Sequence, residues 1–299
     1  VTFDAKWGSN SRFVPQYDVI KDPAQYYETH FKAMYNSQYY HGATADEAYD
    51  FACKNLYNSK NGGLGYQVYT VPQGEQLIGK DFKINPNAKL GYSDGTYYYT
   101  PDNWYDEVFH SSFRQEYNAN VTGSNGKMNY FASAGYLQDG GIVDNSELKR
   151  YTARTTVDYQ AKKWLKLSTG LSFTHTDSQS PQYDVNTYGS SGNLFYITNN
   201  IAPIYPLYVR NADGSIKTEG GRVIYDANQT GFQRPAITGN AVRDNEYNSS
   251  HSYRDILQGQ WDVQITPIEG LILDANLNAF SSNTRANDLA SAFASGQAD

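Results

Sequence analysis

The chain has 299 residues, with 24 Lys and Arg against 31 Asp and Glu, a net charge of −7, and 39% hydrophobic residues. That acidic balance supplies no basic stripe to neutralise phosphates, which excludes nucleic acid as a partner. A mean hydropathy of −0.68 without any apolar run of about twenty residues excludes a membrane-spanning helix, but not a barrel, whose strands alternate.

Val1, Phe3, Ala5 and Trp7 share one face of an opening strand. No signal peptide precedes it, and the chain stops at Gly296–Asp299 without a strand-terminating feature, so both ends read as cut from a larger protein. A long insertion follows, residues 9–102. Asp22-Pro23 supplies an N-cap and a proline at the first helical position, which predicts a helix over Tyr26–Tyr39. Thr44–Glu47 is a capping box for a second helix to about Asn58, ended by the glycines of Asn61–Gly65. Those glycines follow a helix rather than a strand, so they read as a terminator and not as a phosphate loop. The single Cys53 cannot form an internal disulfide, and its helical spacing with Ala48 and Tyr49 suits a small buried apolar role.

From about Tyr117 the period changes to two. Tyr117, Ala119 and Val121 alternate with Asn118, Asn120 and Thr122, and Gly123–Gly126 turns the chain through an Asn-Gly pair that tolerates positive φ. Met128, Tyr130, Ala132, Ala134 and Tyr136 line the returning strand. Tyr151, Ala153, Thr155, Val157 and Tyr159 alternate with Thr152, Arg154, Thr156, Asp158 and Gln160. Beyond Ala161–Lys163, Leu165, Leu167, Thr169, Leu171 and Phe173 continue the pattern. Leu257, Gly259, Trp261, Val263 and Ile265 form the next face, and past Pro267–Gly270 come Leu271, Leu273, Ala275, Leu277 and Ala279.

These runs of roughly 9–11 residues suit tilted strands crossing a bilayer. The short turns near Asn125, Lys162 and Glu269 fall at one end by parity. A moderate loop (Leu137–Lys149) and two very long ones, residues 9–102 and 177–250, fall at the other. Short turns at one rim and long loops at the other are the arrangement of an outer-membrane barrel. Tyr151 and Tyr159 cap both ends of one outward face, as interfacial aromatic girdles require. The predicted fold class is therefore all-β: an antiparallel transmembrane β-barrel fragment of about seven strands with long, partly helical extracellular loops. An aromatic-rich β sandwich is the plainer alternative, but it has little use for a structureless loop of some seventy residues.

Catalysis has little support. Asp106 and Glu107 are adjacent, so on an extended chain their side chains diverge. The five His are scattered without metal-ligand spacing, and no Gly-x-Ser-x-Gly elbow occurs. Asp139–Asp144 reads as a solvated turn rather than a Ca²⁺ loop. Neither a cofactor nor a metal is expected. The candidate substrate-binding residues are Tyr97, Tyr98, Tyr99 and Trp104. They are placed in a loop where flat aromatic faces with polar tips can stack on sugar rings or peptide side chains. Covering the rim or contacting a partner protein is their plainer role.

An ordered series of motifs resembles the barrel of the SusC/RagA family of TonB-dependent transporters. It comprises Asn103–Phe109, Tyr117–Ser124, Tyr130–Tyr136 with Gly141-Ile142, Arg150–Arg154, Trp164–Lys166, Ala202–Tyr208 with Asp213-Gly214, and Pro267–Leu271. Val1–Trp7 fits the first barrel strand after the plug. The plug domain, the TonB-contacting segment and most of a roughly 22-stranded barrel are not in this chain. The resemblance implies active uptake of oligosaccharides or oligopeptides across a Bacteroidetes-type outer membrane. It further implies a SusD-like surface lipoprotein closing over the long loops and energy delivered by TonB through the plug. The inward polar set (Asn118, Asn120, Arg154, Asp158, Gln260, Asp262, Gln264, Asp274, Asn276) then suits interstrand and plug hydrogen bonds more than substrate contact. Two other classes remain open: a secreted carbohydrate-binding or adhesin β domain, and an extracellular glycoside hydrolase with two inward carboxylates.

Overall fold

A computed structural model describes residues 1–13, 15–181, 193–235 and 239–294. Seven long strands form one antiparallel sheet in chain order. They are β1 (Thr2–Asn10), β2 (Ser112–Ser124), β3 (Met128–Gly140), β4 (Glu147–Lys162), β5 (Leu165–Ser180), β6 (Ser249–Ile268) and β7 (Leu271–Leu289). The sheet is open, with β1 and β7 at its edges. Among the described residues no helix is long and apolar enough to cross a membrane, which leaves strands untouched as a means of crossing.

The sequence pattern places the strands correctly but makes them too short. β2 begins at Ser112, β5 runs on to Ser180 and β6 starts at Ser249. The loop expected over Leu137–Lys149 shrinks to residues 141–146, because both flanking strands continue through it. These extensions carry charged residues on both faces, which hides their period of two.

Register puts one apolar face across the whole sheet. Phe3 lies opposite Ala119, Ala119 opposite Ala134, Ala134 opposite Ala153, Ala153 opposite Phe173, and Phe173 opposite Leu257. Toward the long-insertion end lies an aromatic row: Tyr117, Tyr136, Tyr151 and His175 in mutual register. Their successive ring centroids are 6.4, 5.0 and 6.0 Å apart. Toward the short turns lies a second band. Tyr130 and Trp261 belong to one row, while Tyr159 sits in the next with Leu167 and Val263. Tyr151 and Tyr159 are eight residues apart on β4, about 27 Å along a strand. Strands tilted by about 40°, as in membrane barrels, would separate the bands by just over 20 Å, against roughly 25 Å for a barrel's apolar belt.

Nothing in the described chain covers this face: Leu257, Leu273 and Leu277 are 52, 53 and 63% exposed. The Trp261 ring packs against Gly259, where an added Cβ would collide with it, so the glycine lets an aromatic side chain shield the bare ladder. The opposite face carries Asn118, Asn120, Arg154, Asp158, Gln260, Asp262, Gln264 and Asp274, as the alternation requires.

The insertions fold. α1 (Pro23–Tyr40) is capped by Asp22, which accepts from the Ala24 amide, and it buries Tyr27, Phe31 and Met34 at helical spacing. α2 (Ala45–Asn55) opens on the expected capping box between Thr44 and Glu47 and ends earlier than expected. A single 3₁₀ turn, Ser59–Asn61, follows it and stops at Gly62 with φ +81°. Cys53 is half-buried on α2 against the same core, and burial raises its thiol pKa. Three short helices follow: α3 (Trp104–Val108), α4 (Leu194–Asn200) and α5 (Ala241–Tyr247). Each starts at an Asn, namely Asn103, Asn193 and Asn240, whose side chain accepts from two backbone amides.

Candidate functional site

Folding of the two insertions creates a layer at one end of the sheet, stitched by side chains far apart in sequence. One core gathers Tyr27, Phe31, Ala52, Leu56, Tyr66, Tyr99 and Ile204; a second gathers Trp104, Val108, Val143, Ile197, Leu207 and Tyr225. Their seam is polar and ordered. The Tyr66 phenol donates to Asp226 at 2.6 Å, and Tyr205 donates to the Leu64 carbonyl at 2.9 Å. Asp102 receives the Leu207 amide at 2.7 Å and both terminal nitrogens of Arg210, at 2.9 and 2.5 Å. That bidentate geometry fixes orientation as well as charge.

At the centre lies Arg234, wholly buried, 3.6 Å from the equally buried Asp226. Its guanidinium also donates to the carbonyls of Asp226 at 3.1 Å and Gly239 at 3.0 Å, and it stands over the Trp104 ring. Burial raises the Asp226 pKa, while Arg234 and the Tyr66 phenol act to lower it. A charge at this depth persists only because it is paired and fully hydrogen-bonded.

The four aromatic candidates sit in this layer but not as one exposed surface. Trp104 lies in a helix rather than a loop, is 2% exposed, and donates its indole N–H to the Tyr205 carbonyl at 3.0 Å. Tyr99 is also 2% exposed, with its phenol on Asp94 at 2.8 Å and its ring packed edge-on against Phe232. Both rings are spent on the core. Tyr97 and Tyr98 remain half-exposed on a small hairpin pairing Tyr92–Ser93 with Tyr98–Tyr99. Asp94 closes that hairpin, accepting from the Thr96 amide at 2.8 Å and the Tyr97 amide at 2.7 Å. Its partial burial acts to raise its pKa, but these amides and the Tyr99 phenol outweigh that and hold it below the ordinary carboxylate range.

Beside Trp104 a cleft of about 540 Å³ opens between Lys21–Pro23, Pro101–Asp106 and Thr198–Pro203. A second, of about 420 Å³, lies on the polar face of the sheet around Arg154, Gln258 and Gln260. Sequence reasoning missed Asp102, Arg210, Asp226 and Arg234. Asp102 and Arg210 are 108 residues apart, so no short-range spacing marks them. Asp226 and Arg234 are eight apart in a stretch outside any helix or strand, so no periodicity marks them either. The only signal available was the recurrence of Asn at helix-starting positions. Among the described residues no group of three or more His, Cys, Asp or Glu side chains is placed to hold a metal ion.

The architecture therefore defines a class: long antiparallel strands with short turns at one end and a folded insertion layer at the other. Within that class, the structure of the RagAB peptide transporter is similar at a TM-score of 0.56 and 17% identity. The RagAB peptide importer is similar at 0.57 and 18% in its closed-closed state, and at 0.55 and 17% in its open-open state. Each match covers 96% of this chain and 28% of the other, so the likeness is one of fold and the chain spans under a third of those proteins. No protein-family model matches the sequence, and no curated protein does.

Proposed function

We propose that this chain is the first part of the barrel of an outer-membrane importer, with its apolar face toward lipid and its insertion layer outside the cell. The observation that carries the proposal is the uncovered apolar face, bounded by two aromatic bands. It runs from Phe3 to Leu257 over six strands and onto the seventh where Trp261 and Ile265 meet Leu277 and Leu273. A soluble carbohydrate-binding or adhesin domain would bury that set in a closed core, whereas here it is open. A glycoside hydrolase would need its two carboxylates on a common site, and the chain's structural neighbours are transporters.

Oligopeptides are the favoured cargo, since the similar structures are those of a peptide transporter and importer; oligosaccharides are the second reading. Tyr97 and Tyr98, the half-exposed pair, are the residues proposed to meet cargo or a SusD-like lipoprotein lid, with TonB supplying energy through the rest of the protein. Deleting the parent gene tests this reading. Growth on oligopeptides as nitrogen source should fail while growth on free amino acids continues; equal growth on both overturns it.

A further inference from the structure

A third cleft, of about 330 Å³, lies between α3, the turn after β3, α4 and α5. Its lining includes three carboxylates, Glu107, Asp144 and Glu246, and no Lys or Arg. Two of the carboxylates are held in place by phenols. Tyr208 donates to Glu107 at 2.9 Å and Tyr225 donates to Glu246. The two rings lie 5.3 Å apart and form one wall. Burial comes first in raising both phenol pKa values, and the adjoining carboxylates add to it, so the phenols stay protonated and donating.

An independent feature points to a missing donor. Asn245 lines the same cleft and is only 6% exposed, and its Oδ1 has no hydrogen-bond partner. Its Nδ2 is fixed on the Asp144 carbonyl at 2.9 Å, which leaves the oxygen as the open position. A buried acceptor without a donor is a standing cost that a ligand N–H can remove. His110 stands 3.5 Å from Asp144 at the margin, where Asp144 is 75% exposed, so it caps the rim rather than filling the cleft.

We infer that this cleft binds an organic cation, an alkylammonium or guanidinium head, with Glu107 and Glu246 as counter-charges, Asn245 Oδ1 as an added acceptor and the Tyr208–Tyr225 wall as an aromatic face. A metal ion suits it less, because the carboxylates are not gathered within one coordination sphere. The inference adds a ligand chemistry to the importer reading and rests on that reading only for the cation's source as cargo.

The test is made on the full-length protein purified in detergent, so it does not depend on transport. N-acetyl-arginine amide, N-acetyl-lysine amide, the neutral N-acetyl-norleucine amide and CaCl₂ are titrated separately by calorimetry. The two cationic amides should bind and the neutral one should not. Glu246→Gln and Glu107→Gln should each weaken cation binding about tenfold, the scale of one charge-assisted contact, with an unchanged melting temperature as the folding control. Equal binding of the neutral amide, binding of Ca²⁺ alone, or undiminished affinity in both variants overturns the inference. Cation binding by the purified protein without any peptide uptake by cells that carry it would instead count against the importer reading and leave the inference standing.

Discussion

The Tyr66 phenol donates to the buried Asp226 carboxylate at 2.6 Å, a bond spanning 160 residues that ties the first insertion to the second. Both residues are essentially without solvent contact, at 0 and 1% exposure. Asp226 also faces Arg234, so the bond is one side of a buried triad joining the two cores.

Tyr66→Phe removes this donor and leaves Asp226 one partner short, at a cost of about 1–3 kcal/mol to the insertion layer. Hydrogen exchange by mass spectrometry should accelerate over residues 23–70 and 202–234, with Leu165–Ser180 in β5 unchanged. Unaltered exchange in the layer would contradict the triad's role.

Arginine scanning separates the two faces of the sheet. Leu171 is on the apolar face, 43% exposed, in the row of Thr155 and Gly259 midway between the aromatic bands. Thr174, three residues on, is on the opposite face beside Thr152 and Ile256. Near the bilayer midplane an arginine toward lipid costs about 2–4 kcal/mol. Leu171→Arg should therefore lower the amount of heat-modifiable, folded barrel on gels, and Thr174→Arg should not. Val263 lies in the row of Leu167 and Tyr159, at the edge of the apolar belt, so Val263→Arg should lower the folded amount less than Leu171→Arg.

The Asp94 hairpin gives a pH dependence of defined sign. Its carboxylate is held below the ordinary range, so its stabilisation is present above the unfolded pKa, about 4, and is lost as pH falls through the lower folded value. The melting temperature of the layer in Asp94→Asn should lie below wild type at pH 7, and the gap should narrow as pH falls below the unfolded carboxylate value, closing only beneath the lowered folded one. A gap that persists at acid pH would show the amides do not depend on this charge.

How much of this was legible in the sequence follows from where the chemistry is local. Hairpin turns, the capping box at Thr44 and the strand faces from Tyr117 to Ala279 are set by neighbours within a few residues, and the structure reproduces them. Trp104 and Tyr99 look like ligand aromatics when read locally, but packing against residues about a hundred positions away turns both inward. The Asp102–Arg210 pair, the Tyr66–Asp226 bond and the cleft of Glu107 and Glu246 exist only once distant parts of the chain meet. Composition cannot announce such meetings.

The central claim is that the sheet crosses a membrane with its short turns inside and its insertion layer outside. Single cysteines at Asn125, Glu269 and Ala212 in a Cys53→Ala background of the full-length protein test it most directly. Asn125 and Glu269 lie at the short turns, and Ala212 is exposed in the insertion layer. A membrane-impermeant maleimide added to intact cells should label Ala212→Cys at once, and should reach Asn125→Cys and Glu269→Cys only after the outer membrane is permeabilised. Labelling of the turn positions on intact cells, alone or together with Ala212→Cys, would contradict the account.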